Sequence, residues 1–149
     1  METLQNFRLI FKSVKKHYHW LEQQTGVNGA QLWALVAVVD QPGLKVTELA
    51  KALAIHQSTA SNLVDKLVKQ KFLRRERGDE DQRIVRLYPE PAGLLLAKSA
   101  PKPIQGVLPD ALSRMSAEDI THLNALLSSV ARKMKVRDAA GKMSLLADI

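Results

Sequence analysis

The hydrophobic positions near the two ends of the chain recur at alternating spacings of three and four residues. This heptad period is typical of a helix that presents one apolar stripe, and it predicts a first helix from about residue 3 to residue 24, closed by Gly26. A similar stripe predicts a long last helix after residue 116. Because such stripes need an apolar partner, we expect the two ends to lie together and to pair with a second copy. The residues expected at that interface are Leu4, Phe7, Phe11, Val14, Leu123, Leu127 and Val130.

Between the first stripe and residue 43 the pattern predicts a buried helix. Positions 32–39 form an unbroken apolar run, so the helix is apolar on nearly all faces, as expected of a buried element. Asn28 or Gly29 is the expected start, and the sequence from Asp40 to Gly43 ends it. The segment 44–46 could add a short third strand to a small sheet.

Two short amphipathic helices follow, separated by a tight turn at 55–57. Thr47 is the expected N-cap of the first, because its hydroxyl can accept free backbone N–H groups of the first turn. The second helix turns Leu63, Val64 and Leu67 inward at helical spacing. Its outer face is small and polar, a composition suited to base edges in a major groove. That face consists of Gln57, Ser58, Thr59, Ser61, Asn62 and Lys66.

After Lys71 the period changes from helix to strand. Residues 72–77 and 83–88 are predicted to form two strands joined by a charged turn at 78–82. Residues 66–86 contain eight cations against four acids, a net charge of +4, so most of the chain's +7 lies in one short region. A basic region of this kind favours a polyanionic partner.

Beyond this hairpin the chain is expected to be helical again, with an interruption. Ala92 to Lys98 is strongly helical, but three prolines and Gly106 between 101 and 109 predict a bent or broken helix. Ser116 and Asp119 are spaced as a capping box at the start of the last helix. For 138–149 the sequence leaves two alternatives open, a loose tail or a short final helix.

The stretch LAKALAIHQSTASNLVDKLVKQKFLRRERGDEDQRIVRL resembles the DNA-binding core of the MarR family, the multiple antibiotic resistance regulators. The likeness includes Asp81-Gln82-Arg83 and a glycine ten residues after that arginine, Gly93, and it extends over nearly the whole chain. Two departures are Pro89-Glu90, where Leu-Thr is common, and Lys71, where glycine often ends the recognition helix. The implied fold is mainly α with a small β-wing (α+β). A winged helix-turn-helix lobe at 28–91 and dimerisation helices at 1–27 and 92–149 would form a single domain, 1–149.

The resemblance implies a sequence-specific transcriptional regulator, expected to be a repressor. As a homodimer it would bind double-stranded DNA at an inverted-repeat operator. Asp81 is expected to orient the Arg83 guanidinium, so that this cation enters the minor groove preorganised. An ordinary surface salt bridge is the simpler alternative for that pair. The residues expected at DNA are Gln57, Ser58, Thr59, Ser61, Asn62, Lys66, Arg75, Arg77, Asp81 and Arg83.

MarR relatives often hold aromatic anions between the dimer helices and the DNA-binding lobe. His17, Trp20 and Trp33 concentrate aromatic surface near that junction, and the resemblance suggests them as contacts for a small aromatic or anionic effector. Core packing is the simpler explanation of the same residues, since aromatic side chains at helical spacing are more often core than ligand site.

Composition narrows the remaining classes. The chain is 46% hydrophobic and 25% charged, which is ordinary for a soluble globular protein, and its eight-residue apolar run is too short to cross a bilayer. The start lacks the features of a secretory signal, so a cytoplasmic location is expected. There is no cysteine, and His17 and His19 lie two apart on a helix and cannot chelate one ion, so neither a metal nor another cofactor is expected.

No catalytic motif is present, so we expect no enzyme. Two alternatives to a specific regulator remain compatible with the sequence. One is a nonspecific or architectural DNA-binding protein, which the same charge would permit. The other is a winged-helix module that binds proteins.

Overall fold

The computed structural model describes residues 1–134. Seven helices and a two-stranded antiparallel sheet lie within that range, so the expected mainly α fold with a small β-wing is confirmed. The alternatives for the segment 138–149 lie outside the described residues. The elements are α1 (Glu2–Thr25), α2 (Gly29–Asp40), α3 (Val46–Leu53), α4 (Gln57–Lys69), β1 (Leu73–Arg77), β2 (Val85–Pro89), α5 (Pro91–Ser99), α6 (Val107–Ser113) and α7 (Ala117–Lys133).

The first two helices begin and end close to where the sequence predicts. Gly26 adopts the left-handed conformation at φ 74°, and its N–H donates to the carbonyl of Glu22 at 2.8 Å, which closes α1. Asn28 is the N-cap of α2, and its side chain accepts the N–H of Gln31 at 2.8 Å. The Gln31 side chain in turn accepts the N–H of Asn28, so both partners of a capping box are present.

The main core joins α2, α3 and α4 to the base of the wing. Fully buried side chains from each helix meet there, and one leucine from each strand completes it. Its largest fully buried members are Leu35, Val38, Leu49, Val64, Leu67, Leu73 and Leu87. A second cluster around Leu21, Leu32 and Ile104 joins α1 and α2 to the segment after α5. These two clusters hold the helix-turn-helix and the wing against α1 and α2.

Two local predictions around residue 45 are wrong. Helix α3 begins at Val46, so Thr47 lies inside the first turn, and the Glu48 carboxylate accepts the N–H of Lys45 at 2.8 Å in place of a hydroxyl cap. The expected third strand at 44–46 is a single β-bridge between Leu44 and Leu87. Because α3 begins at Val46, the segment before it is too short to form further strand pairs with β2.

The wing strands are displaced toward the C-terminus relative to the prediction. Leu73 pairs with Pro89 and Arg77 with Val85, so the connecting loop covers 78–84 and includes Arg83. In β1 only Leu73 is buried, and in β2 only Leu87. The outer part of the wing therefore has no apolar anchor of its own in the core.

The second half of the chain contains the expected interruption. Helix α5 ends at Ser99, and α6 begins at Val107 after a loop that holds the second cluster in place. Ser116 caps α7 by accepting the N–H of Asp119 at 3.1 Å, but its hydroxyl donates to the Asp119 carboxylate, so the second half of the predicted capping box is absent. None of the residues of α7 is buried.

Candidate nucleic-acid interface

Helix α4 has one buried face and one face open to solvent. Ala60, Leu63, Val64 and Leu67 are buried, whereas the outward positions predicted to read bases lie on the opposite side. Gln57, Ser58, Asn62 and Lys66 are exposed, and Thr59 and Ser61 are half-buried. None of these six side chains forms a hydrogen bond or ion pair with the described part of the chain. Their donors and acceptors are therefore available to an external partner.

The end of α4 places the wing beside this face. Lys71 takes the left-handed conformation at φ 62°, although it is not glycine. Its N–H donates to the carbonyl of Val68, and that of Phe72 donates to Leu67 at 2.9 Å, which is the Schellman arrangement. The chain thus leaves the helix abruptly and enters β1 two residues later. Lys71, where glycine was expected, therefore still adopts the left-handed conformation that ends the helix.

Most arginines of the wing are engaged within the protein. The Arg74 guanidinium binds Glu76 at 2.8 Å and the carbonyl of Pro89, and it lies 5.3 Å from the centre of the Tyr88 ring. The Glu76 carboxylate raises the pKa of Arg74 above its ordinary value. Arg77 donates to the carbonyl of Gln82 and Arg86 to that of Gly43. Together with Arg75, whose partner is described below, four of the eight cations in residues 66–86 thus bind groups of the protein itself.

Arg75 was predicted to contact DNA, and the structure gives it another partner. Its guanidinium forms an ion pair with Asp65 on the exposed side of α4. Asp65 was not among the predicted site residues, because it lies outside the polar set expected to contact bases. The sequence did contain a signal for this ion pair. Asp65 is the only acid on a helix that is otherwise uncharged or basic, and Arg75 follows it by ten residues.

Arg83 differs from the other wing arginines. It lies exposed in the loop 78–84, and its guanidinium has no partner among the described residues. The expected side-chain pair with Asp81 is wrong, because the Asp81 carboxylate accepts the backbone N–H of Arg83 at 2.9 Å instead. Since 81–84 is loop and not strand, the aspartate caps a turn there. Asp81 therefore fixes the backbone from which Arg83 projects, not the guanidinium itself.

The lysines at the end of α4 extend this free positive charge. Lys66, Lys69 and Lys71 are exposed, and none forms an ion pair within residues 1–134. With Arg83 in the wing loop they make four exposed cations without an ion-pair partner in the described chain. A surface of this kind can neutralise phosphates beside a groove while the polar side chains approach the bases.

The predicted effector residues make contacts within the fold, and none of them is among the residues that line the cavity described below. His17 and Trp20 pack ring against ring on α1 at 5.7 Å, and His17 also bonds to the carbonyl of Pro103 at 2.9 Å. Trp33 is half-buried against both hydrophobic clusters. A half-open cavity of about 680 Å³ instead lies between α2, α5 and the 102–110 segment. Its lining is Val36, Val39, Asp40, Leu94, Ala97, Lys98, Lys102, Pro103, Ile104, Gln105 and Asp110.

The predicted dimer residues divide into two groups. Leu4, Phe11, Leu127 and Val130 are exposed by 40–56%. Val14 is only 8% exposed because its own chain covers it, so it is less available to a partner than predicted. Phe7 stacks on Phe11, and Leu123 is half-buried. The apolar stripes thus remain open at the N-terminal half of α1 and along α7.

Two absences apply to residues 1–134. That part of the chain holds no group of three or more side chains able to ligate a metal ion. Nor does any helix in it combine the length and apolar character needed to cross a membrane.

Known proteins agree with this geometry. A family model described as MarR family matches residues 25–84, which span α2 to the wing loop. No curated protein matches the chain in sequence. BldR from Sulfolobus solfataricus is similar, with 27% identity and a TM-score of 0.58 over 86% of this chain and 96% of that one. MepR from S. aureus in complex with DNA is 23% identical, with a TM-score of 0.62 over 87% and 96%.

MarR from E. coli in its reduced form has 17% identity and a TM-score of 0.58 over 85% of this chain and 93% of that chain. This family consists of transcriptional regulators and not enzymes, in agreement with the expected class. The family match covers the free polar face of α4, strand β1 and the wing loop. Residues 25–84 therefore match the MarR family model, and the chain has the winged helix-turn-helix fold of the solved MarR-family structures to which it is similar.

Proposed function

We propose that this protein is a sequence-specific DNA-binding repressor that acts as a homodimer on an inverted-repeat operator. The observation that carries the proposal is the outward face of α4, whose polar side chains have no partner in the described chain, together with the unpaired guanidinium of Arg83 in the wing loop. Asn62 and its neighbours would read the major groove, and Arg83 would enter the adjacent minor groove. A protein seated there excludes other proteins from the same DNA, which supports repression.

The proposed dimer rests on the apolar stripes that the described chain leaves open. Helix α7 and its C-cap expose Leu127, Val130 and Met134 by 40–69%, and α1 exposes Leu4 and Phe11 by 55–56%. Exposed apolar stripes of this kind are typical of an interface. A two-fold dimer would present two copies of α4, with half-site centres about 10 bp apart.

A small aromatic or anionic effector is part of the proposal, with the cavity between α2 and α5 as its site. Ile104 and Val36 contribute apolar surface, and Lys98 and Lys102 contribute cations without an ion-pair partner within 1–134. Its volume lies in the range that small-molecule sites occupy, about 300–1,000 Å³. Because α2 also packs against α4, an occupant could shift the recognition helix relative to the dimer helices.

Selection of bound duplexes from a random pool tests the DNA-binding proposal. We expect enrichment of an inverted repeat, and a preference of ~10³-fold or more over random duplex in direct competition. Salt-dependent binding without an enriched sequence would contradict specificity and indicate an architectural protein. No salt-dependent DNA affinity at all would indicate a protein-interaction module instead.

A further inference from the structure

We propose that the Asp65–Arg75 ion pair is a brace that fixes the angle between the recognition helix and the wing. Arg75 is then a positioning residue, and Asp65 acts through it. The DNA part of this inference rests on the proposed function, whereas the brace itself does not.

The need for a brace follows from how little of the wing is held by the core. Only Leu73 and Leu87 anchor the two strands, and the rest of β1 is exposed. Two apolar points at the base of a hairpin leave its outer half able to tilt. Polar ties must therefore restrain it.

The polar ties of the wing divide according to what they join. The pairs Arg74–Glu76 and Arg77–Gln82 lie within the wing, so they stiffen it without orienting it. Arg86 and the bridge between Leu44 and Leu87 join β2 to the loop before α3. Within residues 1–134, Asp65–Arg75 is the only ion pair that joins the wing to α4.

The charges of this pair support the same conclusion. Asp65 is the only acid in α4, and its side chain is 60% exposed on a helix that would face phosphates. An unpaired carboxylate there would repel DNA, so its presence needs a compensating role. Arg75 supplies the partner, and its own side chain is only 35% exposed. The pair thus removes a repulsive charge and ties β1 to α4 with the same contact.

A distance measurement tests the brace without DNA. The chain has no cysteine, so spin labels at Ser58→Cys and Gln82→Cys report the distance from α4 to the wing loop, with labelled chains diluted in unlabelled ones to suppress distances between copies. We expect one narrow distance in the otherwise unchanged protein and a broader distribution in Asp65→Asn and in Arg75→Gln. The exchanged pair, Asp65→Arg with Arg75→Asp, should narrow it again. Equal widths in all four proteins would overturn the brace.

The affinity of the protein for the selected duplex tests whether the Asp65–Arg75 brace contributes to DNA binding. Asp65→Asn adds one positive charge, so electrostatics alone predicts tighter binding, whereas loss of the brace predicts binding weaker by about 3- to 5-fold. Glu76→Gln is the matched control, because it adds the same charge in the wing and breaks only a tie within it. Asp65→Asn that binds as tightly as Glu76→Gln would overturn the positioning role. If no duplex is selected, the function fails while the distance measurement still decides the brace.

Discussion

Gly93 in α5 lies against the carbonyl of Phe72, the residue that precedes β1. A methyl group added at Gly93 would overlap the Phe72 oxygen and would come within 3.1 Å of Leu35 Cδ1. The same oxygen accepts the N–H of Glu90 at 2.9 Å, so the carbonyl cannot easily turn away. The glycine therefore allows α5 to approach the base of the wing.

Gly93→Ala should consequently destabilise the fold. The backbone atoms in the way must move, which costs about 1–3 kcal/mol for overpacking of this kind. The melting temperature should then fall by about 2–4 °C for each kcal/mol of lost stability in a chain of this size. An unchanged melting temperature would mean that α5 and the wing base are not packed as described.

Lys71→Gly should stabilise the protein. A lysine at φ 62° pays a steric cost that glycine avoids, and the gain should be about 0.5–1 kcal/mol after the greater freedom of glycine in the unfolded chain is subtracted. Lys71→Ala is the control, because it removes the same charge but keeps the strain. Chemical denaturation distinguishes them, and equal stability of the two variants would contradict the strain argument.

Leu127→Glu should dissociate the proposed homodimer. The side chain is 40% exposed on the stripe of α7, and a carboxylate there would have to be buried unpaired on association. Ser128→Glu adds the same charge about 100° around the helix from Leu127, outside the apolar stripe, and should leave the dimer intact. Light scattering at micromolar concentration measures both. A monomeric unmodified protein would refute the interface.

Lys98→Gln should weaken binding of the proposed effector. A salicylate-like anion is expected to change the fluorescence of Trp33, which lies on α2, one of the helices that line the cavity. It is also expected to loosen DNA binding by linkage between the two sites. Losing one cation of the cavity should shift the titration to higher ligand concentration by roughly 2- to 5-fold. Lys12→Gln, on the exposed side of α1, is the control. DNA binding unchanged at saturating ligand would remove that compound as an effector.

The elements were predictable because each carries its signal in local sequence. The heptad stripe of α1, the Asn28 and Gly26 boundaries of two helices, and the polar face of α4 all follow from spacing and capping chemistry. The predicted arrangement of a helix-turn-helix followed by a hairpin is likewise confirmed. Predictions failed where two local solutions compete, as at Thr47, where the Glu48 carboxylate caps α3 instead.

The partners of charged side chains were not predictable, because they depend on distances between elements. Sequence spacing suggested Asp81 for the Arg83 guanidinium, but the loop turns the carboxylate toward the backbone. The sequence does not distinguish Arg75 and Arg77 from Arg83. In the structure, however, the guanidinium of Arg75 pairs with Asp65, and that of Arg77 donates to the carbonyl of Gln82. The cavity between α2 and α5 was missed for the same reason, since its lining comes from segments far apart in sequence.

The affinity of Asn62→Ala and Arg83→Ala for the selected operator and for random duplex, measured across a salt series, tests the central claim most directly. Asn62→Ala should reduce the preference for operator with little change in the salt slope. Arg83→Ala should weaken operator binding by about 1–3 kcal/mol and make the slope shallower by about one unit, with an unchanged melting temperature. Wild-type preference and wild-type slope in both variants would show that neither α4 nor the wing contacts DNA.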